Sequence, residues 1–173
     1  YKPATKKDKQ LFQKAKTEWE KSESLSKFVP NHPIRSGWKI SNYEFEGHMP
    51  GGGNLPRHGL SEWKDMFNER QLLSLSKIFK SISEIENKVE REFLLLTLSN
   101  CLPTNNMITG YDYSYNKIQH LFKSNSFDPP REACEGNVWG AEYGRGTFES
   151  VWEMVKRGVE YASSPTERYI EDG

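Results

Sequence analysis

The sequence predicts a mainly α fold: about four helices joined by long irregular Pro/Gly-rich connections, with room for one or two short strands. Three observations lead there. Apolar residues are 35% of the 173-residue chain, and they gather into a few segments at helical spacing. Capping residues stand before two of those segments, Thr5 and Asn68. The prolines and most glycines fall between the segments, where they break any longer element.

A first helix follows Thr5, a hydroxyl cap three residues before Asp8. Leu11, Phe12, Ala15 and Trp19 form one apolar stripe on a Lys/Glu-rich cylinder expected to end near Ser24 or Leu25. Residues 28–60 lose helical period: Pro30, Pro33, Pro50 and Pro56 alternate with Gly37, Gly47, Gly51 to Gly53 and Gly59. So long a connection points to an arm that is functional, mobile, or packed on something outside the chain. The second helix is the clearest, since Asn68 caps and Gln71 reaches back ahead of Leu72, Leu73, Leu75, Ile78, Phe79, Ile82 and Ile85. A third, from Glu86 to Ser99, carries Val89 and Phe93 to Leu96 with Leu98, an apolar girth suited to a central place, and Pro103 stops it. Residues 103–146 turn irregular and aromatic, with short strands allowed. A last helix begins near Thr147 with Phe148, Val151, Trp152, Val155 and Val159, then gives way to Ser163, Ser164 and Pro165. The organisation is one insertion-type domain: helix 1–27, arm 28–60, helical pair 61–102, aromatic segment 103–146, helix and tail 147–173.

Composition narrows the function classes. No apolar run approaches the roughly 18 residues of a membrane helix, and Tyr1 to Thr5 carries no signal-peptide character, so a soluble cytoplasmic protein without a membrane partner is expected. Cys101 and Cys134 are too few for a disulfide scaffold and belong to no zinc-type cluster. Net charge is zero, yet residues 1–60 hold 11 basic and 6 acidic side chains while residues 101–173 hold 7 and 11. A basic front half can meet phosphates or pair with the acidic rear half.

Catalytic motifs are missing. Pro50-Gly51-Gly52-Gly53-Asn54 lacks the preceding strand and following Lys-Ser/Thr of a phosphate loop, so it reads as a plain loop. His32, His48, His58 and His120 have no partner at metal-ligand spacing. Cys134 lies between Glu132 and Glu135, whose charges oppose a thiolate, and Cys101 closes an apolar helix. No catalytic, cofactor or metal residue is assigned. What remains is polar and aromatic: Trp63, Lys64, Asn68, Arg70 and Gln71 around the second helix start; Tyr113, Tyr115, Asn116 and Lys117; then Arg131, Asn137, Trp139, Tyr143 and Arg145. Such residues contact phosphates and base edges. The residue types alone favour a plainer expectation, in which Trp63, Tyr115 and Trp139 are core anchors and Asn68 and Gln71 only cap the helix.

Three stretches carry a family resemblance. Gly59-Leu60-Ser61-Glu62-Trp63 leading into Phe67-Asn68-Glu69-Arg70-Gln71-Leu72-Leu73 resembles the Gly-x-x-x-Trp and Phe-Asn-x-Arg-Gln-Leu-Leu core of the large prokaryotic adenine-specific DNA methylases. Phe28-Val29-Pro30-Asn31-His32-Pro33-Ile34 is similar to the Pro-x-x-x-Ile approach to that helix, and Tyr1 to Ala15 to the helix before it. Tyr115-Asn116, Arg131-Glu132 and Asn137-Val138-Trp139-Gly140, running on to Thr147-Phe148 and Val151-Trp152, resemble the family's series before an aromatic helix. Asp128-Pro129-Pro130-Arg131 looks like the catalytic Asp-Pro-Pro-Tyr but lacks its aromatic ring.

The resemblance implies a middle piece, between an upstream cofactor motif and a downstream Asp-Pro-Pro-Tyr, of a DNA (adenine) methyltransferase that uses S-adenosylmethionine. The piece itself holds neither motif, so it is expected not to methylate alone and to need the catalytic halves of its parent. Its expected partner is duplex DNA, with phosphate contacts from Lys39, Arg57, Lys64, Arg70, Lys117, Arg131 and Arg145, and edge readout by Asn68 and Gln71. The rival expectation is a protein-docking module of the same or another multidomain defence protein, which meets the catalytic core or a defence partner through the first helix and the 28–60 arm. Lys7, Lys14 and Lys21 on the first helix discriminate, since DNA contact depends on their charge.

Overall fold

The computed structural model describes residues 3–34, 58–121, 133–141 and 144–167. Within them the fold is mainly helical with one two-stranded antiparallel sheet. Helix α1 spans Lys6–Lys21 and opens on the expected box: Thr5 Oγ1 accepts from Asp8 N, and Thr5 N donates to Asp8 Oδ2 at 2.8 Å. It ends earlier than the pattern suggests. Ser22 leaves helical geometry with its hydroxyl turned back to the Glu18 carbonyl at 2.7 Å, and a separate short helix α2, Glu23–Ser26, follows. Leu25 of α2 is buried, whereas Leu11, part of the predicted stripe, stands exposed.

Most of the 28–60 arm lies outside the described residues. Its first part is tied down: Pro33 bridges Glu62, Ile34 N donates to Ser61 O at 2.8 Å, and Trp63 N donates to His32 O. A 3-10 turn over Trp63–Met66 then leads to α3, Glu69–Ser83. Helix α4 spans Lys88–Cys101, starting and ending two residues later than the predicted Glu86–Ser99. Asn87 sets that start, its Oδ1 accepting from Val89 N at 3.0 Å and Glu90 N at 3.3 Å. Strands β1 (Tyr111–Asp112) and β2 (Lys117–Ile118) form a hairpin in the segment where short strands were allowed. Helix α5, Phe148–Ser163, starts at the Thr147 cap.

The main core lies between α3, α4 and α5, where Leu75, Ile82, Leu98, Cys101, Phe148 and Val151 are buried with Val138. Each fully buried Leu or Ile here removes enough apolar area to contribute about 1.5–3 kcal/mol. A smaller cluster of Met66 and Ile108, flanked by Ile34, Leu60, Trp63, Phe67 and Leu121, fastens the 3-10 turn to the segment after α4. Helix α1 packs on α3 without burying any residue fully.

One stretch within the predicted irregular segment is core rather than connection. Thr104, Asn105, Asn106, Ile108 and Thr109 are all buried. Asn105 Nδ2 donates to Cys101 O at 2.9 Å and to Gly146 O at 2.7 Å, while Asn106 Nδ2 donates to Leu102 O at 2.8 Å. Asn106 Oδ1 accepts from Ile108 N and the Thr109 hydroxyl, and Thr104 Oγ1 donates to Gly146 O. These amides replace the helical bonds that α4 loses at its end, and they join that end to the entry of α5.

Candidate functional site

The first predicted group comes together at the start of α3, but its polar atoms face one another. Asn68 Oδ1 accepts from Gln71 N at 2.9 Å, and Gln71 Oε1 accepts from Asn68 N at 3.0 Å. Gln71 is 0% exposed, so no base edge can reach it. Trp63 is half-buried in the smaller core cluster. Lys64 pairs with Glu62, which raises its pKa above the usual value, against the opposing effect of burial. Arg70 is held by a carboxylate: Nε and Nη2 each meet Glu135 at 2.7 Å, and its guanidinium lies 5.5 Å over the Phe12 ring. This fork raises the Arg70 pKa further and ties α1, α3 and the 133–137 segment to one point.

The openings of α3 and α5 are largely occupied by groups of the chain itself. Glu69, in the first turn of α3, is paired with Lys16 at 2.7 Å; that bond and its own backbone N–H hold its carboxyl below the usual range. In α5 the first amides are taken by carbonyls and the cap: Phe148 N donates to Val138 O at 2.8 Å, Glu149 N to Trp139 O at 2.9 Å, and Ser150 N to Thr147 Oγ1.

The second group sits on the β1–β2 hairpin. Asp112 Oδ1 accepts from Ser114 N at 3.1 Å and Tyr115 N at 3.4 Å, and Asn116 takes φ +48° to close the turn. Asn116 is therefore a turn residue with an exposed side chain. Tyr115 is 72% exposed, and Lys117 Nζ stands 4.6 Å over its ring. In the third group Asn137 Oδ1 accepts from Trp139 N at 3.1 Å and from Gly140 N, an Asx turn that sets Trp139. Trp139 stacks on Phe148 with centroids 5.6 Å apart and planes 14° apart, and is 57% exposed. Arg145 is exposed at the entrance to α5. Lys39, Arg57 and Arg131 lie outside the described residues, as do Gly51 to Gly53, Asp128 to Pro130 and Tyr143.

Neither thiol is set in surroundings that favour the thiolate. Burial pushes the Cys101 thiol up to about 12, and burial followed by the Glu135 charge raises that of Cys134. Among the described residues no three His, Cys, Asp or Glu side chains gather to hold a metal ion. Among the described residues no glycine turn leads from a strand into a helix, and a Cβ at Gly140 or Gly146 would overlap Glu149 or Thr104.

Two features had no sequence signal or a faint one. The Arg70–Glu135 fork joins residues 65 apart, which no spacing rule reveals. The Thr104-Asn105-Asn106 run directly after Pro103 does carry a turn signal, and the buried network grows from it. No protein-family model, curated protein or solved structure matches the chain. Among the described residues no helix is long and apolar enough to cross a membrane.

Proposed function

We propose that this chain is a DNA-contacting insertion of an S-adenosylmethionine-dependent DNA adenine methyltransferase, working in a prokaryotic cytoplasm beside catalytic halves that hold the cofactor and the reacting base. The observation that carries the reading is the lysine stripe of α1. Lys7, Lys14 and Lys21 recur every two helical turns on a face other than that of Phe12, Ala15 and Trp19. All three are exposed and none forms a salt bridge among the described residues, Lys14 acting on Glu18 only through its charge, whereas Lys16 and Lys77 are taken by Glu69 and Glu18. A row of unpaired cations along one helix face is the footprint of a phosphate backbone. The resemblance of the Gly59–Leu73 stretch to the adenine methylases supplies the parent. In this reading Asn68 and Gln71 frame α3 instead of reading bases, Arg70 is a structural fork, and Arg145 adds to the charge that meets DNA.

Fluorescence anisotropy with labelled duplex DNA, at low salt and at about 200 mM, tests the reading through counterion release. Reversing Lys7, Lys14 and Lys21 to Glu is expected to weaken binding and to reduce the salt slope by about 3. DNA binding that ignores the reversals, or no binding by the folded protein at either salt, would overturn it. One observation favours the docking alternative: Val89 and Leu96 on α4 and Met154, Val159 and Tyr161 on α5 are exposed. Under that reading the reversals leave DNA association untouched, and the partner is a catalytic half of the parent.

A further inference from the structure

We infer that α1 is a hinged strap, which swings off α3 as a unit about Ser22 when its ion pairs are screened and leaves the rest of the fold intact. The inference holds whether or not the chain contacts DNA. Neither apolar cluster contains a residue of α1, so the core is complete without it. The underside of α1 offers only the half-buried Phe12, Ala15 and Trp19. Charge supplies the rest of its hold on α3: Lys16 pairs with Glu69 at 2.7 Å, Glu18 pairs with Lys77, and the Arg70 guanidinium lies 5.5 Å over the Phe12 ring. Beyond Ser22 the chain is fixed. Ser22 takes φ −98° and ψ 62°, outside helical geometry, so α1 and α2 are separate rods. Leu25 of α2 is buried, and the Phe28 ring stands edge-on to Phe79 at 5.4 Å, beside the main core. A non-helical residue between a loosely seated helix and a buried anchor can absorb the backbone rotation of a hinge.

The strap covers one stripe of α3. Glu69, Leu73 and Lys77 recur every four residues along one helix face, and the two charged members both pair with α1. Leu73, between them, is buried yet belongs to neither apolar cluster, and Ser76 on the same face is buried too. Opening therefore uncovers Leu73, frees Lys77 from Glu18 and lifts Phe12 from Arg70. All four side chains of the two ion pairs reach solvent, so salt screens them, while the apolar seat of Phe12 and Trp19 is not screened and recloses the strap when salt falls. Once detached, a lone helix of 16 residues is marginal in water, so its amides exchange in the open state.

The test is residue-resolved amide exchange of the whole chain by NMR, at about 20 mM and about 500 mM NaCl, which brackets strong and weak screening. The hydrogen-bonded amides of α1 are expected to share one protection factor and to lose about tenfold of it at the higher salt, while α3, α4, α5 and the Phe28 amide hold theirs. Lys77→Glu, which sets a second carboxylate against Glu18, should speed α1 exchange by about tenfold at low salt. Adding Glu18→Lys to that variant should restore slow exchange, which a general loss of stability from substituting Lys77 would not allow. Protection that falls steadily from Lys21 toward the start of α1 would mean fraying and overturns opening as a unit. Loss of the Phe28 amide together with α1 overturns the pivot at Ser22. Exchange of α1 that ignores salt, or that keeps pace with α3 in every variant, overturns the strap altogether.

Discussion

Asn68 Oδ1 and Gln71 Oε1 each accept from the other's backbone amide, so these oxygens serve the start of α3, while the buried Gln71 Nε2 finds no partner among the described residues. Asn68→Ala is expected to cost about 1 kcal/mol in urea unfolding and to leave the DNA affinity of the folded protein unchanged. The two cysteines make a second test at this scale. Iodoacetamide at neutral pH should label half-buried Cys134 slowly and Cys101 only once the chain unfolds. Cys101 also shapes the alkaline limb of stability. Its folded pKa is raised from 9.0 to about 12, so the native state keeps a proton that the unfolded chain gives up first. That stabilisation is complete below pH 9.0 and is lost as pH rises toward about 12. The difference in unfolding free energy between wild type and Cys101→Ala should therefore shrink across this window, and a flat difference would show that burial leaves the thiol unshifted.

Among the elements, α1 and α4 are opposites. Helix α4 lies between α3 and α5 and buries Thr97, Leu98 and Cys101, whereas α1 buries nothing fully and rests on α3 through the half-buried Phe12, Ala15 and Trp19 with two ion pairs, Lys16–Glu69 and Glu18–Lys77. Exposed pairs of this kind contribute little once salt screens them. Amide hydrogens of α1 are expected to exchange well before those of α3 and α4, and the gap should widen at high salt; equal protection would place α1 in the same cooperative unit. The helices were legible because each announces itself locally, Asn68 with Gln71 and Thr5 with Asp8 closing their boxes before an apolar series begins. Boundaries shifted where a polar side chain competed for the backbone, as Ser22 and Asn87 do. The candidate site was legible only as residue types. Whether Arg70 faced solvent depended on Glu135, and whether Tyr115 was core or surface depended on a turn set by Asp112, neither of which periodicity encodes.

At the scale of the whole molecule, the amide network after α4 adds a polar joint to the shared apolar core, tying the end of the helical pair to the entry of α5. Gly146 is its narrowest point: its carbonyl receives both Asn105 Nδ2 and Thr104 Oγ1, its φ is +67°, and a Cβ there would overlap Thr104. Gly146→Ala meets left-handed strain and overpacking together, and is expected to destabilise by about 2–4 kcal/mol in urea unfolding. Gly158, exposed within α5 with open space at its Cβ position, is the matched control; Gly158→Ala should stabilise by about 0.4–1 kcal/mol, through helix propensity and a less entropic unfolded chain. The pair separates loss of the network from the general effect of removing a glycine. Because Leu121 N, bonded to Pro103 O, and Cys134 N, bonded to Thr109 O, also hang on residues 103–109, Gly146→Ala should loosen the hairpin as well as α5. Faster amide exchange at Gln119 and Leu121 in that variant, with α1 unaffected, is the expected signature. Loss confined to α5 would instead mean that the hairpin is held by its own strands, and that the tip carrying Tyr115 and Lys117 is positioned independently of the core.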